Sequence, residues 1–491
     1  MQVSPQSARR LAYGALAAVV LLAWFPSLRP VIPVADDFHY IRILDDGPIR
    51  GVTSHVKAMG IWRWWGSLVL AALLGAHPLV YPIAAVLTHL GAVLLFHQVC
   101  RRVIPSESGA LGAALLMAAM PAGYQALMWA SAYHYVLATL LFWLMLLILI
   151  EHGDVAGRQR FVFISTFLLT VAAALVHEAL VICALLSPLF LWWPERSSGW
   201  RAAFGKLRER YGGTGPMLGG LLYVGLYFGT LTDLTTKKPG AFNLPTVLSV
   251  YYHQLFQVEV FLAWASRMVR QAAFSNWSIA TVAAAAVLAA CAFVAVRNAA
   301  RATEGRRIPG LESRRAIVLF VSLLLGASLV YAAHGGFSRD SRKQYPILYF
   351  SVLVLAYGWS RWIPQKWKSP SYLRWVLGGV VAIEAATAWL MIGLWQAEAK
   401  RSDELIESMI ARNVSGEVRI ESRPDIHDSW SFMRESFGFR LTDETMLNQA
   451  FARRPPLPGQ IQVTARASAP LFAYDATQRR WVFVEAVPPG R

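Results

Sequence analysis

Apolar runs close to twenty residues long recur from Leu11 to Trp395, and that repetition leaves the chain very few folds. Inside hydrocarbon each backbone N–H and C=O must find a partner within the protein, so segments of this length cross a membrane as helices. The charge content agrees. Only 15% of the residues are charged, against about 25% in a soluble domain, and mean hydropathy is +0.42. The chain reads as an all-α polytopic membrane bundle.

Net charge is +17, from 46 basic and 29 acidic residues. The basic residues sit in short loops between apolar runs, which is the pattern of cytoplasmic loops and argues against a nucleic-acid partner. Cys100, Cys183 and Cys291 lie far apart in or beside apolar runs, without metal spacing and without a disulfide framework. Arg9 and Arg10 precede Leu11 to Phe25, and no small-residue cleavage site follows. This end reads as a retained first span with its N-terminus inside.

Taking the loops as boundaries predicts about eleven spans: 11–29, 79–99, 109–123, 135–150, 161–176, 179–193, 215–231, 278–296, 316–333, 346–360 and 375–395. Residues 66–75 are too short to cross alone. The run 257–275, interrupted by Arg267 and Arg270, reads as re-entrant or interfacial. This count gathers the arginine-rich loops on one side. On the other side it gathers Asp36-Asp37, His177-Glu178 and the loop 333–346. Loop 30–65 ends in Ile61-Trp62-Arg63-Trp64-Trp65, a tryptophan-rich segment suited to a helix in the membrane surface.

Residues 1–395 thus form the expected membrane domain. Residues 396–491 change character and predict a small extracytoplasmic α+β domain. Leu405, Ile406, Met409 and Ile410 share one face of a helix over 397–412. Gln460 to Ala465, Leu471 to Tyr474 and Trp481 to Glu485 have strand-like content.

Four segments carry a resemblance. They are Asp36-Asp37-Phe38-His39-Tyr40 after the first span; Gly75 to Tyr81 with His89 and Arg101-Arg102; Leu175-Val176-His177-Glu178-Ala179-Leu180; and Ser341-Arg342-Lys343-Gln344-Tyr345-Pro346. Their order and shared side resemble the GT-C superfamily of multi-span glycosyltransferases, nearest to its protein O-mannosyltransferase and aminoarabinose transferase branches. Two departures stand out against tetratricopeptide-tailed members: Gln125 and Met120 replace an acidic residue and a histidine, and the repeat tail is absent.

The resemblance implies transfer of a sugar from a polyprenyl-phosphate donor to a hydroxyl of a glycan, lipid or protein, at the outer face of the membrane. The richness in small residues and the inner arginines suit a bacterial inner membrane, with the site on its periplasmic side. Attack by a hydroxyl calls for a general base, and Asp36 is favoured slightly over Asp37, which otherwise orients the acceptor or a metal. The leaving phosphate gains charge and calls for fixed cations: Arg339, Arg342 and Lys343, helped by Tyr345. His39, Tyr40, His177 and Glu178 are the expected substrate-binding residues. A base on one face of the sugar and phosphate on the other implies inversion at C1. A divalent metal has donors available in Asp36, Asp37, His39 and Glu178, but no ligand spacing demands one.

Each motif also has a plainer reading. Asp36-Asp37 is then a solvated turn, the basic loop a contact to lipid headgroups, Glu178 a charge at a helix start, and His89 a satisfied interior histidine. A transporter or flippase of lipid-linked sugars is the competing function. It predicts matching halves and helices broken at mid-membrane; no halves of matching pattern are visible, and the acidic residues lie at loop ends rather than mid-span.

Overall fold

The structure, a computed structural model, describes residues 5–30, 37, 40, 43, 47–59, 63–192, 209–230, 286–287, 290–291, 293–294, 296–299, 311, 313–333, 341–362, 370–421, 461–464, 466, 468–475 and 480–485. The helices in chain order are α1 Pro5–Trp24, α2 Pro48–Met59, α3 Trp64–Ala76, α4 Val80–Val103, α5 Glu107–Ala119, α6 Tyr124–Met128 and α7 Tyr133–His152. They continue with α8 Gln159–Val176, α9 Val181–Leu186, α10 Leu189–Trp192, α11 Thr214–Thr230, α12 Ser313–Ala333, α13 Ser341–Trp362 and α14 Pro370–Ala411.

Four described segments are long and apolar enough to cross a membrane: Gln6–Ser27, Val80–Val103, Ala130–His152 and Ala156–Val176. Their outward faces are apolar as well. Val80, Ile83 and Leu87 stand exposed on α4, Phe161, Ile164 and Leu168 on α8, and Ile317, Val321, Leu325 and Leu329 on α12. Steps of three and four residues place each set on one helix face. Stripes this apolar on the outside belong against lipid rather than water. The chain is a multi-pass helical membrane protein.

The bundle has two chemically distinct ends. At one, Arg102 of α4 holds Glu151 of α7 at 2.8 Å, and Asp154 is shared between Arg210 and Arg315. This is the arginine end. At the other, Tyr81 of α4 meets Tyr133 of α7, and α8 runs out into His177 and Glu178. Between the ends lies an aromatic core in which Phe96 contacts Trp143 and Tyr349 at ring-centroid distances of 4.9 and 5.1 Å. Gly326 lets α12 approach α9 closely, because a Cβ there would sit 2.8 Å from the Cys183 backbone nitrogen. Small residues permit such close crossings where lipid supplies no hydrophobic drive.

Two expectations change, and the one on 66–75 holds. The span 179–193 is interrupted: a single 3-10 turn, Glu178–Leu180, precedes α9, and the chain breaks at Ser187-Pro188 before α10. Proline removes a helix donor and crowds the preceding turn. The segment 66–75, too short to cross, is one part of α3. The span 375–395 and the amphipathic helix 397–412 are one continuous helix, α14. Residues 231–285, which include the run 257–275, lie outside the described residues.

At about 1.5 Å per residue, α14 continues some 24 Å beyond Trp395. Its last turns bury Leu405, Ile406 and Met409 against Val418, Phe472 and Trp481. The helix stops where Asn413 takes a positive φ of 52°, with Val414 N–H on Met409 O and Asn413 N–H on Ile410 O. Both bonds satisfy carbonyls that a helix end leaves open, and buried Val414 supplies the accompanying apolar contact. Strands β1 Gly416–Glu421, β2 Ile461–Val463, β3 Leu471–Asp475 and β4 Arg480–Val484 pair in the order β2-β1-β3-β4. The β1 contacts are parallel on both sides, and β3 and β4 are antiparallel. Three of these strands fall in the segments with strand-like content, and β1 was not foreseen.

Candidate active site

The end opposite the arginines gathers polar side chains from four helix termini. Asp37 is fully buried, and its Oδ1 accepts the Ser131 backbone N–H at 2.6 Å. That amide belongs to a short 3-10 turn, Ala130–Ala132, just before α7. Buried carboxylates are costly unless hydrogen-bonded, so this bond fixes where the acidic loop meets the bundle. Close by, Tyr81 donates to Leu127 O or Trp129 O, at 3.1 and 3.2 Å. Asp36 and His39 lie outside the described residues.

Tyr40 is buried, its ring 5.2 Å from that of His134. The start of α3 presses on the same histidine: a Cβ on Gly66 would collide with its ring and sit 2.7 Å from Val176 O. One turn earlier, Arg63 forks onto Glu178 with bonds of 2.7 and 3.0 Å. Two parallel bonds of this kind give direction as well as attraction. Glu178 sits in the turn between α8 and α9. Burial favours its neutral acid, but the Arg63 charge, the neighbouring His177 and the hydrogen bonds outweigh burial and hold the carboxyl well below the usual carboxylate range.

His177 ends α8. Its Nδ1 accepts the Ala179 backbone N–H at 3.0 Å and so caps the turn that carries Glu178. In the neutral ring an accepting Nδ1 leaves the proton on Nε2. The imidazole lies against Tyr135, centroid to centroid 4.0 Å. The structure thus brings together Asp37, Tyr40, His177 and Glu178, and adds Arg63 and His134. Arg63 had one sequence signal: a lone charge among three tryptophans at the end of the acidic loop.

The proposed phosphate residues fall differently. Arg339 lies outside the described residues. Arg342 and Lys343 open α13, and nothing is described of their side chains. Tyr345, expected to assist a phosphate, is buried one turn further along. Its hydroxyl bonds His89 Nδ1 at 2.7 Å and Tyr349 at 3.0 Å, so it ties α13 to α4 inside the bundle. Among the described residues no three His, Cys, Asp or Glu side chains gather as metal ligands.

Neither a protein-family model nor a curated protein matches the chain. Among solved structures, the crystal structure of ArnT from Cupriavidus metallidurans bound to undecaprenyl phosphate overlaps 94% of this chain and 93% of that one, at 14% identity and a TM-score of 0.36. The apo state of ArnT overlaps 94% and 92%, at 14% identity and a TM-score of 0.38. An overlap that loose carries no weight for activity, and the functional reading rests on the residues.

Proposed function

We propose that the chain is a GT-C-type membrane glycosyltransferase that moves a sugar from a polyprenyl phosphate to a hydroxyl acceptor. The observation that carries this reading is the buried Asp37, hydrogen-bonded to the Ser131 amide, at the same end of the bundle as the Arg63–Glu178 pair. A bundle that only needed a core would not hold carboxylates there, since each costs free energy to desolvate. In this reading the arginine end faces the cytoplasm, by the positive-inside rule. The site end then faces the periplasm of a bacterial inner membrane, and about eleven spans complete the bundle.

Asp37 has one oxygen committed to a backbone amide. That favours Asp36 as the general base and Asp37 as the group that sets the loop in place. Proton removal by Asp36 frees the acceptor oxygen to attack C1, and the C1–phosphate bond breaks on the opposite face. The developing phosphate charge falls to the cations of 339–343. Inversion at C1 follows, and a product that retains the donor's anomeric configuration would reject this geometry.

The test is transfer from a panel of radiolabelled polyprenyl-phosphate sugars in membranes carrying wild type, Asp36→Asn, Asp37→Asn or Arg342→Ala. One aspartate variant should lose turnover by about 100-fold or more while still binding donor. Arg342→Ala should weaken donor binding. Wild-type behaviour in all three variants would reject the site and move transport of lipid-linked sugars to the front.

A further inference from the structure

A cavity lies beside Tyr81 and reaches Pro30, where loop 30–65 begins. Its volume is about 280 Å³, and its apolar walls come from Tyr81, Pro82, Leu127, Met128 and Trp395. The polar groups of its floor are already spent: Ser27 Oγ on Trp24 O, Gln396 Nε2 on Pro26 O, and Tyr81 on the carbonyls named above. Two cations stand at the rim, Arg29 and Lys400. Among the described residues Arg29 has no acidic partner, and Lys400 meets Glu404 at 3.7 Å with 73% of its own side chain exposed. Trp395 lies where α14 leaves the bundle, next to Trp129 at 5.9 Å. Aromatic rings at this level mark a membrane–water boundary.

We propose that this cavity holds an anionic phospholipid of the surrounding leaflet. The phosphodiester sits between Arg29 and Lys400, and the start of one acyl chain lies on Leu127, Met128 and Trp395. Apolar walls below two cations, at the level of a headgroup, match that shape and charge. A soluble anion would leave the walls uncovered, and a zwitterionic lipid would gain less from two positive charges. The site has a route to the chemistry. Leu127 and Met128 lie just before the 3-10 turn whose Ser131 amide holds Asp37, so the lipid props the segment that places the acidic loop. This last step rests on the proposed transferase activity, and the binding step does not.

Binding is read by native mass spectrometry of the detergent-purified full chain, after exchange with phosphatidylglycerol or phosphatidylcholine. Wild type should retain one phosphatidylglycerol at least about tenfold better than phosphatidylcholine, and R29A/K400A should abolish that preference. Both replaced side chains are on the surface, so the fold survives. Ala399→Trp, which fills the cavity, should expel the lipid with the charges intact. Equal retention of both lipids by wild type, or an unchanged preference in R29A/K400A, overturns the assignment. So does displacement by inorganic phosphate alone, which would mean a plain anion site. Displacement by undecaprenyl phosphate at equal stoichiometry would make this the donor's site and would equally overturn it. If the lipid binds as described while transfer stays independent of it, the prop falls and the binding site stands.

Discussion

At the arginine end, Arg102 and Glu151 pair with side chains 49% and 28% exposed. At the site end, Arg63 and Glu178 pair at 17% and 12% exposure. The chemistry is the same and the cost is different. The exposed pair gives up little solvation and gains little, of order 0–1 kcal/mol. The enclosed pair has surrendered its water, and replacing such a pair by apolar residues is often neutral or better. Stability alone therefore explains the first pair and not the second. The Arg101–Glu107 pair, at 14% and 11% exposure, is slightly more enclosed than the site-end pair, but it spans only the turn from α4 to α5. Arg63 and Glu178 lie 115 positions apart and join the acidic loop's end to the α8–α9 turn. What the enclosed pair contributes is relative position.

The strongest way to break this comparison is to remove one partner at the site end. Arg63→Ala leaves Glu178 enclosed and unpaired, a defect worth about 3–5 kcal/mol. The melting temperature of the purified protein should fall steeply. Glu178→Gln should also be destabilising, because the Arg63 charge stays enclosed without a counter-charge and keeps only one of its two acceptors. A melting temperature for Arg63→Ala equal to wild type would show that water reaches the pair.

Next in size is the division between the two aspartates. Asp36→Asn removes the proposed base and should lower kcat by about 100-fold, close to 2.7 kcal/mol of transition-state stabilisation. Asp37→Asn keeps an oxygen for the Ser131 amide and should lose several-fold less. The reverse order in single-turnover transfer would make Asp37 the base and Asp36 the orienting group.

Acid offers a gentler probe. The folded-state pKa of Glu178 is depressed, so the unfolded chain takes up the proton first as pH falls. Its contribution to stability is complete above the ordinary carboxylate value and disappears as pH drops through the depressed one. The drop in melting temperature between pH 5 and pH 3 should therefore be smaller in Glu178→Gln than in wild type. Equal drops would mean that Glu178 titrates like a solvated carboxylate.

Local pattern carried the parts of this structure that are local. Leu405, Ile406, Met409 and Ile410 were legible as one face because a helix repeats every 3.6 residues, and that face is the one packed on the sheet. The acidic loop was legible because carboxylates beside a span are rare. Other features depend on distant partners and leave no periodic mark. Nothing around Arg63 names Glu178, and nothing around Tyr345 names His89, 256 positions away. Tyr345 was therefore read with its basic neighbours Arg342 and Lys343, although one helical turn carries it inward. The unbroken α14 was missed for a related reason. Its composition changes from apolar to charged near Lys400 while its backbone does not, and composition reports the surroundings of a helix rather than its ends.

The smallest effect is expected at the arginine end, and it sharpens the contrast from the other side. Arg102→Ala removes an exposed partner and should shift stability by no more than about 0.5 kcal/mol. Salt should erase even that, because at 1 M ionic strength the screening length is about 3 Å, near the 2.8 Å of the ion pair itself. Enclosed charges are screened far less, so the deficit of Arg63→Ala should persist in the same buffer. Measuring both variants at low and high salt separates desolvated from solvated pairing without reference to catalysis. A deficit at Arg63 that vanished with salt would place both pairs in water and remove the argument that the site end sacrifices solvation for position.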